Sequence, residues 1–322
     1  TSKLALIPFS TRIRVGSNGS GGTMMKALTD LDATWSGYYR SCTSSTGSSG
    51  SESGGNWSCS AYETRSVSGW RVMPCVTDRS GADEASDARP GYGAWLNAHD
   101  GGRMPLALDS AGGTPSSGRG QTDSDPADHW NYESNGSCAD VAESNEVVPL
   151  TADRQRLLGK IEGLEAYGAT AGALGTAWTW YSLAPDWGSL WPSMSNRPGP
   201  YGDINIRDNG VQRLRKVAII MSDGVYNTYR NWKGQDQQSV SNRAKQLCAN
   251  MKAKGIEIFT VAFDLGSLAA GQRAIAEDTL KSCGTDIHHF YNALDVDELK
   301  ASFRDIAVTY GVYVSAGADV PC

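Results

Sequence analysis

At 322 residues the chain carries about two domains' worth of sequence, enough to bury roughly three quarters of the surface its unfolded form exposes. Hydrophobic residues make up 39%, charged residues 20%, and 37 positions are glycine, well above the usual share of about 7%, so a globular protein rich in loops is expected. With 29 basic against 35 acidic residues the net charge is −6, and no basic run is long enough to track a phosphate backbone; nucleic acid is a poor partner.

The longest aliphatic runs, Leu4–Ile7 and Val217–Met221, fall far short of the roughly 18 residues of a membrane span, and no signal peptide opens the chain. Thr1, Ser2 and Lys3 lead straight into a strand-like run without an initiator Met, so an upstream segment is expected. Seven cysteines, four histidines and no Cys-x-x-Cys pair argue against a zinc site and for disulfides in an oxidising compartment. The pairing read from their placement is Cys42–Cys59, Cys75–Cys138 and Cys248–Cys283, with Cys322 unpaired, although sequence alone leaves other connectivities open.

In chain order, Lys3–Phe9 reads as a buried strand closed by Pro8. Residues 34–148 show no useful apolar period and are dominated by Gly, Ser, Asp, Pro and Trp, which predicts an irregular insertion. Its staples and Trp35, Trp57, Trp70, Trp95 and Trp130 are expected to give it a small core. Beyond Pro149, Thr151 is placed to cap a helix whose inner face is Leu157, Ile161 and Leu164 and which Gly168 ends. A second helix is expected over residues 171–183. The run Val217–Met221, bounded by Asp223 and Gly224, predicts a central parallel strand covered on both faces.

Then come a helix with Val240, Ala244, Leu247 and Met251 on one side, a strand over Ile256–Phe263, a helix near Arg273–Ser282 and a short strand over His289–Asn292. Asp295 with Glu298 marks a capping box for a last helix with Leu299, Phe303, Ile306 and Tyr310 inside. Alternating strands and helices predict an α/β fold with an open, mostly parallel sheet, helices on both faces, and ligands at the carboxyl ends of the strands, where Asp223 lies.

Ser222, Asp223 and Gly224 after a strand resemble the strand-end Thr/Ser-Asp-Gly of von Willebrand factor A (vWA) domains, and Gly168, Ala169 and Thr170 resemble the loop carrying their metal-binding threonine. Further stretches are similar to TadE/TadG-like proteins of the Tad (Flp) pilus system: Leu4–Ser10, Trp70 with Cys75-Val-Thr-Asp-Arg79, Cys138 before Val148-Pro-Leu-Thr151, Gly175–Trp180 with Leu183-Ala-Pro185, Leu247-Cys248 with Lys252–Ile256, Cys283, and Phe303–Ala307. The similarity is weakest between Arg79 and Cys138 and after Tyr310.

The resemblance implies a Rossmann-like vWA domain formed by residues 1–33 and 149–322, lacking its first strand, with residues 34–148 inserted. It implies an extracytoplasmic, bacterial, non-enzymatic protein of pilus assembly or adhesion, tethered by a membrane helix outside this chain, whose partners are pilus or surface proteins. Its ion site would hold Mg²⁺ or another divalent cation through Thr170 and Asp223, framed by Gly168, Ser222 and Gly224. The D-x-S-x-S motif of the first strand is absent, so low occupancy is expected, and an additional strand from an upstream segment or another chain is expected beside Val217–Met221.

Three other features are read blandly. Asp123, Asp125 and Asp128 have Ca²⁺-loop spacing but no following bidentate Glu, so a solvated acidic turn is expected. His288 and His289 cannot chelate one ion from a strand. Trp178, Trp180, Trp187 and Trp191 are read as packing residues in preference to a sugar platform. A structural subunit of a surface filament, or an extracellular hydrolase using Asp223, are the alternatives; nothing in the spacing supplies the hydrolase with an activating His or Lys.

Overall fold

The computed structural model describes residues 2–15, 36–46, 58–68, 75–76, 78–79, 83–88, 141–166, 168–229, 232–233 and 236–310. The described strands and helices are β1 (Leu4–Leu6), β2 (Ile13–Arg14), β3 (Ser36–Thr46), β4 (Ser58–Ser68), β5 (Cys75–Val76), β6 (Val148–Thr151), α1 (Arg154–Glu162), α2 (Gly172–Leu183), β7 (Arg207–Asp208), β8 (Val211–Gln212), β9 (Val217–Ser222), β10 (Thr228–Tyr229), β11 (Trp232–Lys233), α3 (Gln237–Ala253), β12 (Glu257–Phe263), α4 (Ala270–Cys283), β13 (Phe290–Ala293) and α5 (Val296–Thr309). They fall into two compact units, residues 1–201 with 227–235, and residues 202–226 with 236–322. The chain therefore leaves the first unit after Tyr201, returns at Asn227 and leaves again after Gln235.

The first unit is built from short antiparallel pairs: β1 with β6, Leu4 opposite Thr151, and β2 with β5, Ile13 opposite Val76. β3 and β4 form a long antiparallel ladder from Ser36↔Ser68 to Thr46↔Ser58, with register shifts near Cys42, Ser44 and Ser45. The insertion is thus not irregular there. Its strands are rich in Ser, Thr and Tyr, so β pairing proceeds without the apolar alternation that a sequence reading follows. Cys42 stands opposite Tyr62 and Cys59 opposite Ser45 in that backbone ladder; their side chains, the side chain of Cys75, and Cys138 and Cys322 lie outside the described residues, as do Asp123, Asp125, Asp128 and the five insertion tryptophans.

α1 is capped by Asp153, whose Oδ1 accepts from the Arg156 amide at 3.0 Å, and ends at Gly163, so Thr151 and Gly168 do not bound it. Thr151 instead accepts from the Asp153 amide at 3.0 Å, fixing the approach to the cap. Leu157 is buried, but Ile161 is 47% exposed and Leu164 lies beyond the helix, which stops before that face is complete. α2 is buried nearly all round, as a helix without a polar face must be.

Trp178, Tyr181, Trp187 and Trp191 form an aromatic cluster in and after α2. Tyr181 stacks on Trp187 at 3.9 Å, with the Arg79 guanidinium 5.6 and 5.7 Å from the two ring centroids. Arg79 donates to Ala88 O at 2.9 Å and pairs with Asp83. Trp180 Nε1 donates to Tyr201 Oη, which donates to Asp87 Oδ2 at 2.6 Å, and Trp187 Nε1 donates to Asp87 O. Burying these four indoles makes them core, not a sugar platform.

The second unit holds a three-stranded parallel sheet in the order β13-β12-β9. β12, not β9, is central among the described strands; both runs are apolar, and hydrophobicity alone does not rank them. On one face Phe259 and Val261 of β12 and Ile306 of α5 form a cluster joined by Val217, Ile219, Met221, Tyr291, Leu299 and Tyr310. The alternate residues, Ala218, Ile220, Ile258, Thr260 and Ala262, are buried too, and Thr260 Oγ1 donates to Leu280 O of α4 at 2.9 Å, which places α4 on the opposite face.

α3 and α4 are joined by the Cys248–Cys283 disulfide and by the Lys245–Asp278 ion pair. Lys252 of α3 donates to Ser282 O and Gly284 O at 2.8 and 2.9 Å, satisfying carbonyls at the end of α4 that lack helical partners. α5 starts at the expected box: Asp295 Oδ1 accepts from the Asp297 and Glu298 amides, while Glu298 reaches back one residue further than usual, to the Leu294 amide at 2.7 Å. Ser302 replaces Phe303 on the buried side; Phe303 is 39% exposed. No helix among the described residues is long and apolar enough to cross a membrane.

Candidate functional site

β9 delivers Ser222, Asp223 and Gly224 to the carboxyl end of the parallel sheet. Ser222 is buried and its hydroxyl closes the turn, donating to Gly224 O at 3.0 Å and accepting from Gly224 N at 3.3 Å. This two-residue loop turns Asp223 outward, where it is exposed and makes no hydrogen bond or ion pair among the described residues. It caps no helix. A β-carbon added at Gly224 would meet nothing within 4 Å.

Aspartates also follow the other two strands of this sheet, one and two residues after their ends. Asp264 follows β12 in the left-handed region, φ +48°, with its amide donating to Ala293 O at 2.9 Å, while Asp295 follows β13 and is committed to capping α5. Asp264 escapes a sequence reading because its only signal is a backbone conformation that aspartate adopts more readily than most residues. Among the described residues no three or more His, Cys, Asp or Glu side chains are placed to hold a metal ion.

Gly168 and Thr170 lie in the first unit, in the loop before α2. Gly168 has φ +88°, which explains the glycine. The Ala169 amide donates to Thr11 Oγ1, and Thr170 is pinned reciprocally: its amide donates to Asn227 Oδ1 and its carbonyl accepts from the Asn227 amide, both at 3.0 Å. α2 has no side-chain cap, and the half-buried Thr170 hydroxyl has no partner among the described residues. Neither Thr170 nor Asp223 is therefore consumed by helix capping, the role such residues usually fill.

Mg²⁺ takes six oxygens in a near-octahedral array. Asp223 lies in one unit and Thr170 in the other, and among the described residues neither belongs to a group of three or more side chains able to hold a metal ion.

No family model matches the chain, and no curated protein does. Among solved structures it is similar to the vWF domain of the type V pili tip protein Mfa5 from Porphyromonas gingivalis, with 32% identity over 24% of this chain and 25% of that chain and a TM-score of 0.20. It is also similar to the pilus adhesin SpaC from Lactobacillus rhamnosus GG, with 11% identity over 52% of this chain and 23% of that chain and a TM-score of 0.33. The matches span about a quarter of each of those proteins.

Proposed function

We propose that this chain is a non-enzymatic, extracytoplasmic adhesion or assembly protein of vWA type, serving a Tad (Flp) pilus or a related bacterial surface system. The observation that carries the reading is the Ser222-Asp223-Gly224 turn: an exposed carboxylate, without a partner among the described residues, at the carboxyl end of a parallel strand in a turn closed by a buried serine. The order of motifs similar to TadG-like proteins and the Cys248–Cys283 disulfide, which suits an oxidising compartment, support it.

The edge of β9 away from β12 carries no strand among the described residues. We assign that edge to an additional strand, from an upstream segment or a surface partner, which would also bring the oxygens that a divalent ion needs beside Asp223; without them this chain holds Mg²⁺ weakly. A hydrolase using Asp223 is the less favoured alternative, since the sequence spacing supplies no activating His or Lys.

The test is attachment of cells displaying the protein, with and without chelator, for wild type and Asp223→Ala. Loss of attachment in both cases supports adhesion. Attachment indifferent to both, with the protein recovered at fixed stoichiometry in purified surface filaments, transfers the assignment to a structural subunit.

A further inference from the structure

His289 ends a short helical turn, Ile287–His289, ahead of β13, and its two ring nitrogens face carboxylates on different elements. Nδ1 is 2.7 Å from Asp286 Oδ1 and Nε2 is 3.0 Å from Glu257 Oε1, the first residue of β12. The side chain is 15% exposed, and its ring packs on Phe259 with centroids 4.4 Å apart. An ionised carboxylate only accepts hydrogen bonds, and a neutral imidazole has a single N–H. A neutral ring would therefore satisfy one contact and turn a lone pair toward the other oxygen. The cation alone donates to both.

We propose that His289 is a proton-operated latch, which when protonated fastens the start of β12 to the turn before β13 and when neutral releases one of the two carboxylates. The nitrogens point to opposite sides of the ring, so the same arrangement is not a metal chelate.

Of the charged and titratable groups around the latch, Lys252 of α3 donates to Gly284 O just before the turn and Lys281 of α4 lies 5.2 Å from the ring of Phe290, next to His289. Glu257 lies on β12, Asp286 and His288 on the turn, and Tyr291 on β13, where burial and then the charge of Asp305 on α5 push its phenol up. Tyr310, after α5, is pushed up by burial and then by Glu257, and its ring lies 5.4 Å below the Arg215 guanidinium. For His289 itself burial acts to lower the pKa, but the hydrogen bonds to Glu257 and Asp286 outweigh it and leave the value raised. Asp286 is held low, first by His289 and then by the His288 amide.

The sign follows. Because the folded value is raised, the stabilisation is fully present below the free-histidine value of about 6.5 and is lost as pH rises through the folded value. Release is local, since Thr285 independently ties the same turn to β12: its amide donates to Ile258 O at 2.9 Å and its hydroxyl accepts from the Ile258 amide at 2.8 Å.

The experiment is an NMR titration of the histidine ring nitrogens in the intact chain, with backbone amide exchange across the same pH range. His289 is expected to titrate above the free-histidine value with both nitrogens protonated below it, and Glu257→Gln is expected to shift its midpoint downward. Exchange at the His289 and Tyr310 amides, corrected for intrinsic rates, should accelerate above the midpoint in wild type and lose that step in His289→Gln. Titration of wild-type His289 at or below the free value overturns the latch, and so does an unchanged midpoint in Glu257→Gln. The wild-type titration decides even if a variant fails to fold.

Discussion

Gly175 of α2 lies so close to Phe9 that a β-carbon on the glycine would sit 2.5 Å from the ring's Cδ1. Glycine normally costs a helix stability, and here the close approach of the Phe9 ring compensates for that cost. Gly175→Ala is expected to destabilise the first unit by about 1 to 3 kcal/mol through overpacking. Gly159→Ala in α1, where nothing lies within 4 Å of the added carbon, should gain up to about 1 kcal/mol from helix propensity. Chemical denaturation of both variants checks the pair, and opposite signs are the expected outcome.

The Cys248–Cys283 bridge spans a sequence separation of 35 and joins α3 to α4 on one face of the sheet. Closing a loop of this size stabilises by about 4 kcal/mol in the chain-entropy account. The double Cys248→Ala, Cys283→Ala variant should lose about 2 to 5 kcal/mol. Non-reducing peptide mapping of the wild type should return the two cysteines in one linked peptide, and free thiols at both would remove the basis of the prediction.

Tyr181 supplies a pH prediction. Burial, opposed by the neighbouring Arg79 cation, pushes its phenol up from 10.0 to about 12. A raised value means the stabilisation is intact below the unfolded value near pH 10 and is lost as pH climbs toward 12. Tyrosinate absorbance followed with pH should show a late-titrating group that disappears in Tyr181→Phe, and the same variant should resist alkaline unfolding better than wild type.

At the start of α5, Asp295 accepts from two backbone amides at 2.9 Å. Asp295→Ala should cost about 1 kcal/mol, within the usual range for losing such a cap. Asp295→Asn should restore most of it, because the amide oxygen accepts equally well. Thermal melts of the three proteins rank them, and an Asn variant as unstable as the Ala variant would locate the effect outside the cap.

The second unit was largely legible because its elements obey simple periods. Val240, Ala244, Leu247 and Met251 are buried together on α3 as their spacing requires, and Asp295 announces α5 by the capping box. The errors fall where a local pattern is overridden by what lies across from it. Ile161 has the right spacing for an inner face, but α1 ends at Glu162 and leaves it in solvent. Ser36–Thr46 and Ser58–Ser68 pair through backbone groups, which no side-chain period encodes. The candidate site divides similarly: Ser222 to Gly224 could be read from a strand followed by its turn, whereas the left-handed Asp264 and the two carboxylates around His289 are products of the fold.

The passage of the chain out of the first unit after Tyr201, back at Asn227 and out again after Gln235 has a consequence for genetic dissection. No single stop codon or protease cut divides this protein into its two natural bodies. A fragment ending at Tyr201 lacks Asn227, the residue that holds both the amide and the carbonyl of Thr170, and the complementary fragment carries Asn227 with no Thr170 to bind. Complementation by two fragments would therefore have to re-thread residues 227–235, and a library of simple truncations would report a loss of folding where the question asked was about function.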